Sequence, residues 1–239
     1  MNYVIEAASL TKKYKNFKAL DDLNLHVPVG SIYGLIGKNG AGKTTLIRLI
    51  CGLQKVDTGE YYIYGIKNTD KEILNVRSRI GAIVETPAIY ENLSARDNII
   101  EELTLLGSPT FDDIDELLEL VGLSDVGAKK AGKFSLGMRQ RLGIAIALAG
   151  NPDILILDEP INGLDPEGII DIRELILKLN KEKNITILIS SHYLDELSKI
   201  ATHYGFVDKG KMKKEISKDE LINKMKHRRE MKRRNKRIM

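Results

Sequence analysis

One cysteine, Cys51, is all that the 239 residues contain. That excludes an intramolecular disulfide and suits a reducing compartment. Cys51 itself reads as a small apolar residue at a helix end rather than a reactive thiol. No segment reaches the roughly 18–20 uninterrupted apolar residues that a membrane helix needs. The longest candidate, Leu142 to Gly150, is closed off by Arg141 and by Asn151-Pro152. The first ten residues, MNYVIEAASL, have no basic stretch leading into an apolar one, so no signal peptide is expected there. Internal repeats are also missing, and a cytosolic protein is expected.

Charge is unevenly placed. Residues 224–239 hold nine Lys or Arg against one Glu, a net of +8, so the formal +4 of the chain leaves −4 on residues 1–223. The body is slightly acidic and the basic character belongs to the tail. Two readings of that tail stand: a disordered, solvated end, and a contact for anionic lipid, at about 1 kcal/mol per basic residue near a charged membrane. It has no interleaved aromatic for base stacking, which argues against specific nucleic-acid recognition.

Hydrophobic content of 43% and charged content of 29% are ordinary for a globular protein. Short apolar runs alternate with helical spacing, the pattern of an α/β fold on a largely parallel sheet. Strands are expected at 3–7, 23–27, 32–36, 61–64, 80–84, 154–157, 186–189 and 205–207. The runs at 32–36, 154–157 and 186–189 are apolar on both faces, as strands covered on both sides are. Helices are expected at 43–51, 113–121, 136–149, 166–179 and 194–200. From about 86 to 149 strand signals vanish, which predicts a helical subdomain inserted into the sheet-bearing one.

Directly after the apolar run ending at Ile36 comes Gly37-Lys38-Asn39-Gly40-Ala41-Gly42-Lys43-Thr44, a match to G-x-x-x-x-G-K-[ST]. Its glycines let successive N–H groups turn inward onto phosphate oxygens, and the helix that follows offers its positive end to the same oxygens. Lys43 is expected at the β- and γ-phosphates, with the Thr44 hydroxyl on Mg²⁺. A random chain of this length shows the pattern roughly once in a hundred. Farther on, Ile154-Leu155-Ile156-Leu157 deliver Asp158-Glu159-Pro160 to the carboxyl end of a buried strand, where open α/β sheets bind ligands. Adjacent acids there are costly unless a cation or a reaction needs them. Asp158 is placed to hold Mg²⁺, and Glu159 to take a proton from an attacking water.

Between these elements, Phe134-Ser135-Leu136-Gly137-Met138-Arg139-Gln140-Arg141 resembles the signature LSGGQ of ABC transporter ATP-binding subunits. Asn162-Gly163-Leu164-Asp165 resembles the D-loop, Ser190-Ser191-His192 the H-switch, and Tyr14 stands where that family places an aromatic against adenine. The resemblance runs over about residues 3 to 216. It implies a P-loop NTPase (RecA-like) core with an antiparallel β subdomain, an ATPase domain over 1–223, and ATP with Mg²⁺ as ligands. It also implies nucleotide contacts from Tyr14 and from the loop through Thr45. Two subunits, homo- or heterodimeric, would pair head to tail on the cytoplasmic side of a membrane, peripheral to an integral permease. Of the signature in trans, Ser135, Leu136, Gly137 and Met138, the Ser135 side chain and the Gly137 backbone of one copy would then donate to the γ-phosphate held by Lys43 of the other. His192 would contact that phosphate within its own subunit, and Asp165 would join the halves.

Two departures stand out. Leu136 and Met138 replace Gly and Gln of the consensus, while Ser135 and Gly137 are kept. Glu85, in Ile83-Val84-Glu85-Thr86-Pro87, stands where most members carry a glutamine; it keeps an acceptor oxygen, loses the amide donor and brings a negative charge toward the metal. Glu85 is therefore expected among the catalytic and Mg²⁺-binding groups and as a tuner of coupling to the permease. Together these features resemble the bacitracin-resistance and lantibiotic-immunity branch. The rival reading is an ABC ATPase that transports nothing; translation-type members usually carry two phosphate loops and repair-type members a long coiled coil, and this sequence has one loop and no heptad array. A GTPase-like switch would need an Asn-Lys-x-Asp element, which is absent.

Overall fold

A computed structural model describes residues 2–108 and 110–224; the basic tail beyond Lys224 lies outside the described residues. Strands β1 (Tyr3–Tyr14) and β2 (Phe17–Pro28) form an antiparallel hairpin that sets Tyr14 opposite Phe17. Next come β3 (Ile32–Ile36), all five residues buried, and helix α1 (Lys43–Ile50). β4 (Thr58–Ile63) and β5 (Ile66–Lys67) return to the hairpin, giving a four-stranded sheet in the order β2-β1-β4-β5.

Helix α2 (Ile73–Arg77) leads into β6 (Ile80–Ile83). Then α3 (Ala95–Leu105), α4 (Ile114–Leu120) and α5 (Leu136–Leu148) follow with no strand between them among the described residues. β7 (Ile154–Asp158), α6 (Pro166–Lys183), β8 (Thr186–Ser191), α7 (Leu194–Ile200), β9 (His203–Asp208) and β10 (Lys211–Ser217) complete the second sheet, ordered β10-β9-β3-β8-β7-β6. Its strands are parallel except β10.

Two cores explain the layering. Alternate residues of the central strands (Tyr33, Leu35, Ile154, Ile156, Leu188) face α1 and the antiparallel sheet. Their neighbours (Ile32, Ile36, Leu155, Leu157, Ile187, Ile189) face helices α3 to α7. Apolar residues on both faces are what a sheet covered on both sides demands. At Gly81 a Cβ would lie 2.0 Å from the Ala147 carbonyl oxygen, so only glycine lets α5 sit so close on β6. At the edge, Tyr33 Oη donates to Glu215 Oε1 at 2.5 Å while Glu215 Oε2 meets His26 Nδ1 at 2.7 Å, tying β10 to β2. Burial, with the Glu215 charge beside it, raises the Tyr33 phenol well above its usual range.

Local chemistry sets the helix starts. Ser94 and Asp97 form a reciprocal capping box on α3. Asp165 accepts from Gly168 N at 3.0 Å to cap α6, with Pro166 at its first position. The expected strands all form, several of them longer: β1 runs to Tyr14 rather than stopping at Ala7. Four elements escape the sequence patterns, namely β5, α2, α3 and β10. β10 reads Lys-Met-Lys-Lys-Glu-Ile-Ser and buries only Ile216, so its edge position leaves no apolar period to detect.

Candidate functional site

The parallel strands end side by side. Ile36 pairs with Ser191 and Asp158 with Ser190, so the segments after β3, β7 and β8 emerge at one edge. That edge carries the phosphate loop, the two acids and His192. Gly40 and Gly42 have φ of +78° and +108°, which L side chains avoid. A Cβ on Gly42 would meet Ala19 O at 2.5 Å, whereas one on Gly40 would meet nothing within 4 Å. The first fact keeps the loop tight against β2, and the second leaves its outer side open to a ligand.

A cleft of about 340 Å³ opens there, lined by Tyr14, Phe17, Ala19, residues 39–45 and Glu159. Lys43 is 5% exposed and donates from Nζ to Gly37 O at 2.6 Å and Lys38 O at 3.3 Å. The same Nζ lies 3.0 Å from Glu159 Oε1, a buried oxygen that accepts no hydrogen bond. Glu159 Oε2 meets His192 Nδ1 at 2.9 Å. Glu159 itself holds φ +51°, a strained value for a side-chain-bearing residue of the kind that gathers at functional sites.

Asp158 is 2% exposed. Thr44 Oγ1 donates to its Oδ2 at 2.7 Å and Ser190 Oγ to its Oδ1 at 2.5 Å. A hydroxyl and a carboxylate meeting beside a phosphate loop are hard oxygen donors that suit Mg²⁺. Among the described residues no group of three or more His, Cys, Asp and Glu converges. At the C-terminal end of α1 the half-buried Cys51 thiol is pushed up to about 12 by desolvation, with Arg77 opposing the effect and the Asp158 charge adding to it.

Not every expected residue converges. Glu85 sits at φ +67° with its side chain 58% exposed, and its Oε1 accepts from Arg48 Nη2 at 2.7 Å. Arg48 stands one turn along α1 from Thr44, and the contact Glu85 makes is to Arg48 and not to the Thr44–Asp158 pair. Ser135 caps α5, its Oγ accepting from Met138 N at 3.2 Å, which leaves the hydroxyl proton free to donate outward. Leu136 is exposed and its Cδ2 lies 3.3 Å from where a Cβ on Gly163 would stand. Neither residues 135–138 nor Asp165 line the cleft of their own chain.

Ser190, named from the sequence only as part of the H-switch element, both holds Asp158 and accepts from Glu159 N at 3.0 Å. Two contributors were not singled out from the sequence. Phe17 reaches the cleft opposite Tyr14, and Gln54 accepts from the Tyr14 hydroxyl.

Comparison with known proteins decides the family. Residues 20–162 match the ABC transporter family. The chain is 49% identical over 221 residues to the bacitracin transport ATP-binding protein BcrA of Bacillus licheniformis, covering 92% of this chain and 72% of that one. The chain belongs to the ABC transporter ATP-binding subunits. This ABC ATPase is also 41% identical over 209 residues to the lantibiotic transport ATP-binding protein SrtF of Streptococcus pyogenes, covering 87% of this chain and 89% of that one. Its fold matches the dimeric post-hydrolysis structure of the ATP-binding cassette MJ0796 bound to ADP and Pi, with a TM-score of 0.79 at 28% identity over 89% of this chain and 98% of that one. The cassette thus has the P-loop NTPase fold expected from its sequence, and it is an ATP-binding and ATP-hydrolysing subunit. No helix among the described residues is long and apolar enough to cross a membrane.

Proposed function

We propose that this cassette energises a separate membrane permease that exports, or protects against, an antimicrobial peptide acting on the cell envelope. The observation that carries this reading is the 49% identity to a bacitracin transport subunit across nearly the whole chain. The cassette would sit on the cytoplasmic face of the membrane through that permease. Residues 86–149 would act as a helical subdomain within an ATPase domain of residues 1–223. The tail from Lys224 would add contact with anionic lipid, and unchanged liposome binding on deleting 224–239 would remove that last element.

In the mechanism we infer, backbone N–H groups of residues 37–45 and the Lys43 ammonium hold the β- and γ-phosphates, while Tyr14 stacks on adenine. Thr44 and Asp158 would hold Mg²⁺, which when bound would supply neutralisation of charge on the phosphate oxygens. Glu85 is left out of this metal set, because its carboxylate is held by Arg48, one turn along α1 from Thr44. A γ-phosphate drawn to Lys43 lies next to Glu159, since those two side chains meet. Glu159 accepts a proton from the attacking water, and His192 steadies Glu159 and reaches the γ-phosphate. Ser135 and the Gly137 backbone of a second ATPase subunit close over the same phosphate, with Asp165 at the joint. A site completed by a partner is supported by the dimeric form of the ATP-binding cassette MJ0796, whose fold this chain matches. The test is co-expression with candidate permeases in a bacitracin-sensitive host. Co-purification with an integral membrane protein and a resistance gain that needs Glu159 are expected; resistance equal with and without the cassette would overturn the reading.

A further inference from the structure

Helix α6 is pinned on two sides. Toward α5, Asp171 Oδ2 accepts from Arg141 Nη1 at 3.2 Å. Toward α7, Arg173 Nη1 stands 3.7 Å from Glu196 Oε2, an oxygen that is buried and accepts no hydrogen bond. The other oxygen of Glu196 accepts from Lys199 Nζ at 2.7 Å. Around the Arg173–Glu196 pair the α6–α7 contact is apolar, built from Ile161, Ile169, Ile176, Ile189, Leu197 and Ile200 about a cavity of roughly 10 Å³.

Apolar contact is non-directional, so it fixes how far α7 stands from α6 but not its rotation or its slide along the interface. A charge pair flanked by apolar groups is directional and is screened less than one in open water. Glu196 is the third residue of α7 and stands four residues after His192, with only Tyr193 between His192 and the helix. The His192 and Tyr193 rings lie 3.8 Å apart, so the histidine moves with the start of the helix. Its bond to Glu159 at 2.9 Å depends on that placement. We propose that Arg173 and Glu196 are positioning residues for ATP hydrolysis: they lock the first turn of α7 to α6 and so aim His192 at Glu159. This inference rests on the role given to His192 above.

The pair acts on chemistry and not on nucleotide capture, because neither residue lines the cleft. The test is steady-state ATPase kinetics on the full chain. Arg173→Met strands the buried Glu196 oxygen and is expected to cost stability. The double variant Arg173→Met/Glu196→Leu removes both charges, and it carries the test should the single one fail to fold. The double variant is expected to keep its melting temperature and its KM for ATP while kcat falls about tenfold, within the range that small misplacements cost. In a His192→Ala background the same double change should lower kcat by less than about twofold, since the group it aims is gone. A wild-type kcat in the double variant would overturn the proposal. So would the same fold-loss with and without His192, which is what a merely structural pair produces. Full activity of His192→Ala alone would overturn both this inference and the catalytic role of His192.

Discussion

Lys43 Nζ lies 3.0 Å from Oε1 of Glu159, joining the helix after β3 to the strand end of β7 at the centre of the cleft. This contact separates two functions by substitution. Glu159→Gln removes the base and its charge but leaves Lys43 free for phosphate. Turnover is expected to fall about 10²–10⁴-fold, the usual loss with a general base, while ATP affinity holds and an ATP-bound dimer accumulates. Lys43→Ala should instead abolish binding in a titration with fluorescent ATP. Equal ATPase rates for wild type and Glu159→Gln would remove Glu159 from its role.

Ser190 is fully buried and works in two directions, donating to Asp158 Oδ1 and accepting from Glu159 N. Ser190→Ala leaves the buried Asp158 Oδ1 without that partner, while Glu159 N keeps its bond to the Ser190 carbonyl oxygen at 3.2 Å. Urea unfolding is expected to show a loss of about 1–3 kcal/mol, the range for an unmade buried hydrogen bond. The Mg²⁺ concentration for half-maximal ATPase should rise as well, because Asp158 is no longer held. A stability loss with an unchanged Mg²⁺ dependence would confine Ser190 to a structural role.

Cys51 shows its burial as chemistry. Its thiol is pushed from an ordinary 9.0 to about 12, so the folded state favours the neutral form. The stability this adds is fully present below pH 9 and is lost as pH rises from 9 toward 12. At pH 8.5 the reactive thiolate is far scarcer in the folded protein than in the unfolded chain. Alkylation by iodoacetamide should therefore be slow in buffer and fast in 8 M urea, a concentration chosen to exceed roughly any ordinary unfolding midpoint. Equal rates in the two would mean that the thiol is open to solvent.

The phosphate loop, the acids and His192 were legible in the sequence because each follows a run of apolar residues, and buried parallel strands are hard to mistake. Their convergence on one edge was legible too, since ligands bind where such strands end. What escaped was set by partners distant in the chain. Arg48 and Glu85 are exposed polar residues until the fold pairs them, and Arg173 and Glu196 sit on amphipathic helices whose charges read as solvated faces. β10 gave no signal because an edge strand with one buried residue has no period-two pattern.

Glu85 is where expectation and structure diverge most. Its side chain pairs with Arg48, one turn beyond Thr44 on the helix that follows the phosphate loop, while Thr44 pairs with Asp158. The two side chains are 32% and 58% exposed, and such pairs contribute under about 1 kcal/mol. Glu85→Gln is therefore expected to leave the melting temperature nearly unchanged. If Glu85 instead tunes how α1 responds to the permease, the substitution should alter ATPase stimulation by the reconstituted permease far more than it alters the basal rate. Arg48→Gln should reproduce that change, because it breaks the same contact from the other side. Basal and stimulated rates both matching wild type in Glu85→Gln would leave the pair as surface charge without a part in coupling.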